Sequence, residues 1–265
     1  MEMIQGLPVY THGDPRKQAL LFIHGFMFDH TMWDHQVAAL KDEYYCVTYD
    51  FRGMGDSPAG DGQLSLEMYV DDLEAIADTL KLKNPVLCGL SMGGYIAFRA
   101  VERAPERYKA LIVCDSRASA DNNGAKLKRA GGLTTINTRG IDQFIADTMP
   151  QLFADTFKQN KPEIYAQIID RARRLSATGI KACIIAMVGR LDVSDSLPAF
   201  RLPVQLICGD RDILSPPEEM KATADRIPGC GFAVIKDSGH LSPVEQPEQV
   251  NEVIATFLRS LPYND

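Results

Sequence analysis

The chain predicts an α/β fold, a twisted and mostly parallel sheet flanked by helices, with a helical insertion late in the order. Three observations point there. Six short runs, at 19–23, 44–49, 86–88, 111–114, 204–208 and 232–235, are almost continuously apolar, as strands covered on both faces must be. Amphipathic stretches with helical spacing lie between them. The alternation then stops over 117–199, where helical patterns continue but no strand run appears.

Each element has its own justification. Leu66, Tyr69, Val70, Leu73, Ile76, Ala77 and Leu80 recur at helical spacing behind Ser65, a suitable N-cap. Tyr95 to Arg103 continues as a helix after a Gly-rich turn. Val250, Val253, Ile254, Phe257, Leu258 and Leu261 form the last amphipathic face, with Pro247 in its first turn. Inside 117–199 the helical patterns are 144–157, 180–188 and the set Ile164, Ile168, Ile169, Ala172 and Leu175. No Ser/Gly-rich linker, internal repeat or low-complexity tract sets this stretch apart as an independent domain. The expected organisation is a core of 1–116 and 200–265 with 117–199 as a cap over the sheet.

Composition narrows the function. At 265 residues, with 45% hydrophobic and 24% charged residues, the chain can bury a core of its own. A net charge of −7 with no basic tract repels phosphate backbones and anionic lipid, so neither nucleic acid nor membrane is an expected partner. The segment MEMIQGLPVYTHGDPRK lacks the basic-then-apolar pattern of a secretory signal. Six scattered cysteines (Cys46, Cys88, Cys114, Cys183, Cys208 and Cys230) read as reduced thiols. Both features point to the cytoplasm. No Cys or His spacing suggests a metal site, and no cofactor is expected. Homo-oligomerisation is left open.

The chemistry centres on Gly89-Leu90-Ser91-Met92-Gly93-Gly94, between an apolar run and a helix. A strand–turn–helix with serine at its apex is the geometry that exposes a nucleophile, and the glycines make room for the tight turn. Serine needs a base. His240, in Asp237-Ser238-Gly239-His240, follows the last strand run, where the loop returns to the ridge that carries Ser91. His12, His30 and His35 lie in loop or helix contexts without such support. The histidine in turn needs a carboxylate to fix its tautomer. Asp212 closes Gly209-Asp210-Arg211-Asp212 behind the 204–208 run and is the first choice; Asp210, Asp237 and Asp115 are the rivals. His24-Gly25-Phe26 follows the first run, so the amides of Phe26 and Met92 would hold an oxyanion, with His24 itself structural. The loop Asp50-Phe51-Arg52-Gly53-Met54-Gly55-Asp56-Ser57 has no phosphate-cradle spacing and reads as a tight turn braced by an Asp/Arg pair.

These segments, in this order and spacing, resemble the α/β-hydrolase superfamily over nearly the whole chain. More narrowly they resemble its 3-oxoadipate enol-lactonase and arylesterase branch, through the Ser91 segment, Ala186-Met187-Val188-Gly189-Arg190-Leu191-Asp192, Pro216-Pro217 and Glu245-Gln246-Pro247-Glu248. The resemblance implies hydrolysis of a small, largely apolar ester or lactone without metal or nucleotide. Ser91 would carry the acyl group. Met27, Phe28, Tyr95, Met187 and Leu214 would line the pocket, and Arg117 or Arg190 would receive a substrate carboxylate if there is one. Carbon–carbon bond hydrolysis, perhydrolysis and a hydrolase-like receptor are the alternatives on the same three residues.

Overall fold

The computed structural model describes residues 1–262. Gln5 and Gly6 take positive φ, 50° and 81°, the signature of a two-residue hairpin turn whose twist suits its strands. They join β1 (Glu2–Ile4) to β2 (Leu7–His12), with Ile4 opposite Leu7. The sequence reading missed this hairpin. Pro8 interrupts it, and only one end of β2 is buried, so it presents neither a continuous apolar run nor a clean alternation. His12, expected in a loop or helix, is the exposed last residue of β2.

All six apolar runs are strands; four are longer by one or two residues, 19–23 is unchanged, and 44–49 loses Tyr44. They are β3 (Ala19–Ile23), β4 (Tyr45–Tyr49), β5 (Val86–Leu90), β6 (Ala110–Cys114), β7 (Val204–Gly209) and β8 (Gly231–Ile235). Among the described residues the sheet order is β1-β2-β4-β3-β5-β6-β7-β8, antiparallel at β1–β2 and β2–β4 and parallel from β4 to β8. The strands β3 to β7 are buried at every residue, because helices cover both faces. Ahead of the insertion these are α1 (Asp34–Leu40), α2 (Leu66–Thr79) and α3 (Met92–Arg103).

The strand order locates the site. From β3 the chain moves to β4 on one side and then returns to β5 on the other. Ile23 therefore lies beside Gly89, and the loops after β3 and β5 open a crevice at their carboxyl ends, where open α/β sheets bind ligands.

Between β6 and β7 run α4 (Asn123–Arg139), α5 (Ile141–Thr148), α6 (Asp155–Asn160), α7 (Pro162–Ala172) and α8 (Ala177–Val188). Two corrections apply. The 144–157 pattern is not one helix: α5 passes into a 3-10 turn at Met149–Leu152 before α6 begins, where Pro150 removes an amide. Helix α4 went unread because it buries only Ile136 and so has no apolar stripe; Asn122 caps it by accepting from Ala125 N–H at 2.9 Å. After β7 come α9 (Pro217–Asp225), α10 (Ser242–Glu245) and α11 (Pro247–Ser260).

The Asp50 loop is braced differently from expectation. Arg52 forks onto Asp72 of α2 with two 2.7 Å bonds. Asp50 instead accepts from His30, through the backbone N–H at 2.7 Å and Nδ1 at 2.8 Å, and from Asp56 N–H at 3.0 Å.

Helix α3 sits so close to β3 that a Cβ on Gly93 would lie 2.2 Å from the Ile23 carbonyl oxygen. Backbone cannot give way there. Gly93→Ala is expected to cost about 2–3 kcal/mol by overpacking. In calorimetry this should appear as a Tm lower by roughly 5–10 °C; an unchanged Tm would show that α3 can slide off β3.

Candidate active site

Ser91 occupies the single residue between β5 and α3. Its φ of 52° and ψ of −113° are a conformation that L-residues avoid, at a cost of about 1–3 kcal/mol. The surroundings hold it there. Ser91 N–H donates to Cys114 O at 3.0 Å, continuing the β5–β6 pairing into the turn. The Ser116 hydroxyl donates to Ser91 O at 2.7 Å. The side chain is thereby turned out at the carboxyl end of the central strand β5, over the N-terminus of α3.

His240 lies on the loop from β8 to α10, and its Nε2 is 2.8 Å from Ser91 Oγ. Its other nitrogen, Nδ1, is 2.8 Å from Asp212 Oδ2 on the loop after β7. A carboxylate facing Nδ1 makes that nitrogen the N–H donor and leaves Nε2 as the acceptor for the serine hydroxyl. Asp212 also accepts from Leu214 N–H at 2.8 Å, Ser215 N–H at 3.1 Å and the Ser215 hydroxyl at 2.5 Å. Against the opposing effect of burial, the His240 ring and these donors hold the Asp212 carboxyl down at about 2. Burial likewise works against charging His240, but the Asp212 charge and its hydrogen bond, with Asp115 beyond, raise its pKa above the ordinary histidine value.

The rival acids sit elsewhere. Asp210 is exposed and accepts from Ser238 N–H at 3.2 Å. Asp237 is exposed and pairs with Arg211. Asp115 is wholly buried and accepts from two backbone amides, Gly209 N–H at 2.8 Å and Ser242 N–H at 3.0 Å, and from the Ser242 hydroxyl at 2.5 Å. Burial and the neighbouring Asp212 push the Asp115 carboxyl well up.

Across the crevice, Met92 opens α3, so its N–H has no partner within the helix. The Phe26 amide lies in the loop after β3. Met27 beside it has φ 67°. His24, wholly buried, shapes this loop. Its Nε2 accepts from Phe51 N–H at 3.2 Å, which leaves Nδ1 to donate to Gly25 O at 2.8 Å. Burial drives its pKa down, so the ring is neutral and holds the turn.

A cavity of about 480 Å³ opens over Ser91 and His240. All five expected apolar liners, Met27, Phe28, Tyr95, Met187 and Leu214, face it. So does Arg117, whose guanidinium bonds Leu214 O and lies 3.3 Å from Glu219. Arg190 does not. It is buried with Asp121 at 2.7 Å and lies over the Tyr95 ring, 4.1 Å from its centroid. Several site residues escaped the sequence reading: Ser215, and from the insertion Asp121, Lys128, Arg129, Phe144 and Leu152. Ser215 stands three residues beyond Asp212, a spacing that could have suggested a partner for it. The residues from α4 carried no signal, because their helix did not. Among the described residues no three His, Cys, Asp or Glu side chains cluster to hold a metal ion, and no helix is long and apolar enough to cross a membrane.

This architecture is similar to that of known proteins over nearly its full length. A solved structure of a thermophilic esterase from Thermogutta terrifontis superposes with a TM-score of 0.91 at 36% identity, covering 96% of this chain and 93% of that one. The enol-lactonase from Burkholderia xenovorans LB400 shares the fold, with a TM-score of 0.90 at 24% identity over 97% and 98% of the two chains. In sequence, 3-oxoadipate enol-lactonase 1 of Acinetobacter baylyi is 29% identical over 255 residues, 96% of this chain and 94% of the relative. Residues 20–253 match the model of the alpha/beta hydrolase family, and the chain belongs to that family.

Proposed function

We propose that the chain is a serine hydrolase that cleaves a carboxylic ester or lactone of a small, largely apolar substrate. One observation carries the reading: an unbroken relay from Ser91 Oγ through His240 to Asp212, each link 2.8 Å long, opening on a cavity with apolar walls. In this mechanism His240 takes the Ser91 proton as Oγ attacks the carbonyl carbon. The Phe26 and Met92 amides receive the developing oxyanion. His240 then protonates the leaving alkoxide, and a water that it deprotonates releases the acid from Ser91. Asp212 stays ionised and stabilises the imidazolium in both halves.

The size of the cavity, about 480 Å³, supports a small substrate. The similarity to an esterase and to enol-lactonases supports ester or lactone chemistry. Residues 117–199 act as the cap in this reading, since α4, α5 and α8 contribute walls to the same cavity as the core loops. Of the two arginines expected to receive a substrate carboxylate, Arg117 faces the cavity, with Glu219 3.3 Å from it, and Arg190 is committed to Asp121. The six cysteines are free thiols, five of them buried, which supports work in a reducing cytoplasm.

Ser91→Ala should fold as the wild type does and lose both turnover of p-nitrophenyl esters and covalent labelling by an organophosphonate. Labelling that persists elsewhere in the variant would move the nucleophile. A panel of aryl esters, alkyl esters and lactones would then rank substrates by kcat/KM.

Asp212→Asn should lower kcat by roughly 10³–10⁴-fold, because an amide no longer enforces the Nδ1–H tautomer. Asp210→Asn and Asp237→Asn should stay near wild type. A crippled Asp237→Asn would show that the acid lies on the β8 side.

The pH profile follows from His240. The base must be neutral, and its pKa is raised. Activity is therefore lost as pH falls through a midpoint above the ordinary histidine value of about 6.5. Below it, kcat/KM should drop about tenfold per pH unit. A midpoint clearly under the ordinary value would remove His240 as the base.

A further inference from the structure

The loop that carries His240 is held by more than its triad bonds. Four consecutive amides each donate to a buried acceptor. Gly239 N–H and Leu241 N–H donate to Glu245 Oε1 at 2.9 and 3.2 Å, His240 N–H to Leu152 O at 2.9 Å and Ser242 N–H to Asp115 Oδ2 at 3.0 Å. Two of these acceptors tie His240 to the insertion. Leu152 belongs to it, and the second oxygen of Glu245 accepts from Ala154 N–H at 2.9 Å.

Glu245 is 2% exposed and has no ion-pair partner among the described residues; backbone amides alone satisfy it. Burying a carboxylate without a cation is costly, and only well-placed donors offset it. Gly239 adds an independent constraint. A Cβ there would lie 2.7 Å from Ala154 N and 3.0 Å from Leu152 O, so the two segments touch backbone to backbone. Phe153, between them, stacks on Phe157 at 5.3 Å and meets the edge of Tyr165 at 5.2 Å, which anchors the contact within the insertion. Leu152 also lines the cavity.

We propose that Glu245 is a positioning residue that locks the His240 loop to residues 152–154 of the insertion, so that substrate packing on Leu152 and placement of the base are mechanically coupled. The insertion then acts on the chemistry through the hydrogen bonds that join residues 152–154 to the His240 loop, besides walling the cavity. This rests on His240 being the base.

Two substitutions cut the bridge from opposite ends. Glu245→Gln keeps one acceptor oxygen but turns an NH₂ toward a backbone N–H, so one side of the bridge is lost. Ala154→Pro deletes the other donor at backbone angles the chain already has, and its ring carbon pushes away the Glu245 Oε2 that the N–H now meets at 2.9 Å. Ala154 already has φ −61° and ψ 145°, and Phe153 before it has φ −117° and ψ 145°, values that proline and its predecessor adopt. Each variant should lower kcat about 10–100-fold, the scale of a displacement near 1 Å at a reacting group, with KM within about threefold. The double variant should be no worse than the poorer single one, as expected of two cuts in one linkage. The proton NMR resonance of His240 Nδ1–H should shift in all three, whether or not the enzyme turns over. Wild-type kcat in either single variant, losses that multiply in the double, or a loss that follows Tm with the His240 resonance unmoved would each overturn the proposal. Should one single variant not fold, the other decides by the same two readings. A wild-type chain that neither labels at Ser91 nor turns over esters would defeat the hydrolase reading instead, and the resonance would still report on Glu245.

Discussion

Ser91 is held at a positive φ of 52°, and much of the molecule is arranged to hold it there. A strand must deliver it, a helix must leave immediately, and both must pack against neighbours that cannot retreat. The β5–β6 pairing reaches past the strand to Ser91 N–H, and Ser116 takes its carbonyl from the other side. Glycine is needed where α3 passes over β3, because the Ile23 carbonyl leaves no space for a Cβ. The strain, about 1–3 kcal/mol, is small against the burial of five parallel strands, and it leaves the serine hydroxyl at the rim rather than in the core. The same strand order that permits the turn sets Phe26 beside it, since β3 and β5 are neighbours.

Around His240 the governing quantity is negative charge under burial. Asp212, Asp115 and Glu245 are each at most 3% exposed, and the charged groups that act on the ring include Asp212, Asp115 and Arg117. The three carboxyls are satisfied differently. Asp212 has the imidazole and three donors from 214 and 215, and its pKa falls. Asp115 and Glu245 bond mostly backbone, and burial raises both. The division is physically coherent: the carboxyl next to the ring stays ionised and supports a cation, while the others serve as acceptors that fix loops. Asp115 joins the β7 end at Gly209 to Ser242, and Glu245 joins Gly239 and Leu241 to Ala154. His240 is thus tied to the strand that precedes Asp212 on one side and to the insertion on the other.

What could be read from the sequence follows the same physics. Strands buried on both faces show as apolar runs, so β3 to β8 were legible within two residues at each end, although β8 is only partly buried at the sheet's edge. Helices α2 and α11 were legible because they bury one stripe and begin at Ser65 and Pro247. Ser91, Asp212 and His240 were legible because each stands just past a strand in the order that this sheet requires. The β1–β2 hairpin and α4 were not, since neither buries a regular face. Arg190 illustrates a different limit. Its charge was visible, but its burial against Asp121 and Tyr95 depends on how α8 returns to the core. Glu245 was visible only as part of a segment that resembles a family; its partners at Gly239, Leu241 and Ala154 are backbone groups, which no residue pattern announces.

The insertion shows why the site's remaining chemistry is a tertiary property. Helix α4 is polar along most of its length, yet it supplies Lys128 and Arg129 to the cavity, and Arg129 pairs with Asp121 ahead of it. Asp121 therefore stands between two guanidinium groups, Arg129 and Arg190, and cannot neutralise both. With Arg117 near His240, the cavity combines apolar walls from Met27, Phe28 and Met187 with three cationic side chains, Arg117, Lys128 and Arg129, and two carboxylates, Asp121 and Asp147. Arg117 acts against His240 by lowering its pKa while Asp212 and Asp115 raise it. An anionic group bound at Arg117 would offset that influence. The charge held at Arg117 and the basicity of His240 are therefore linked.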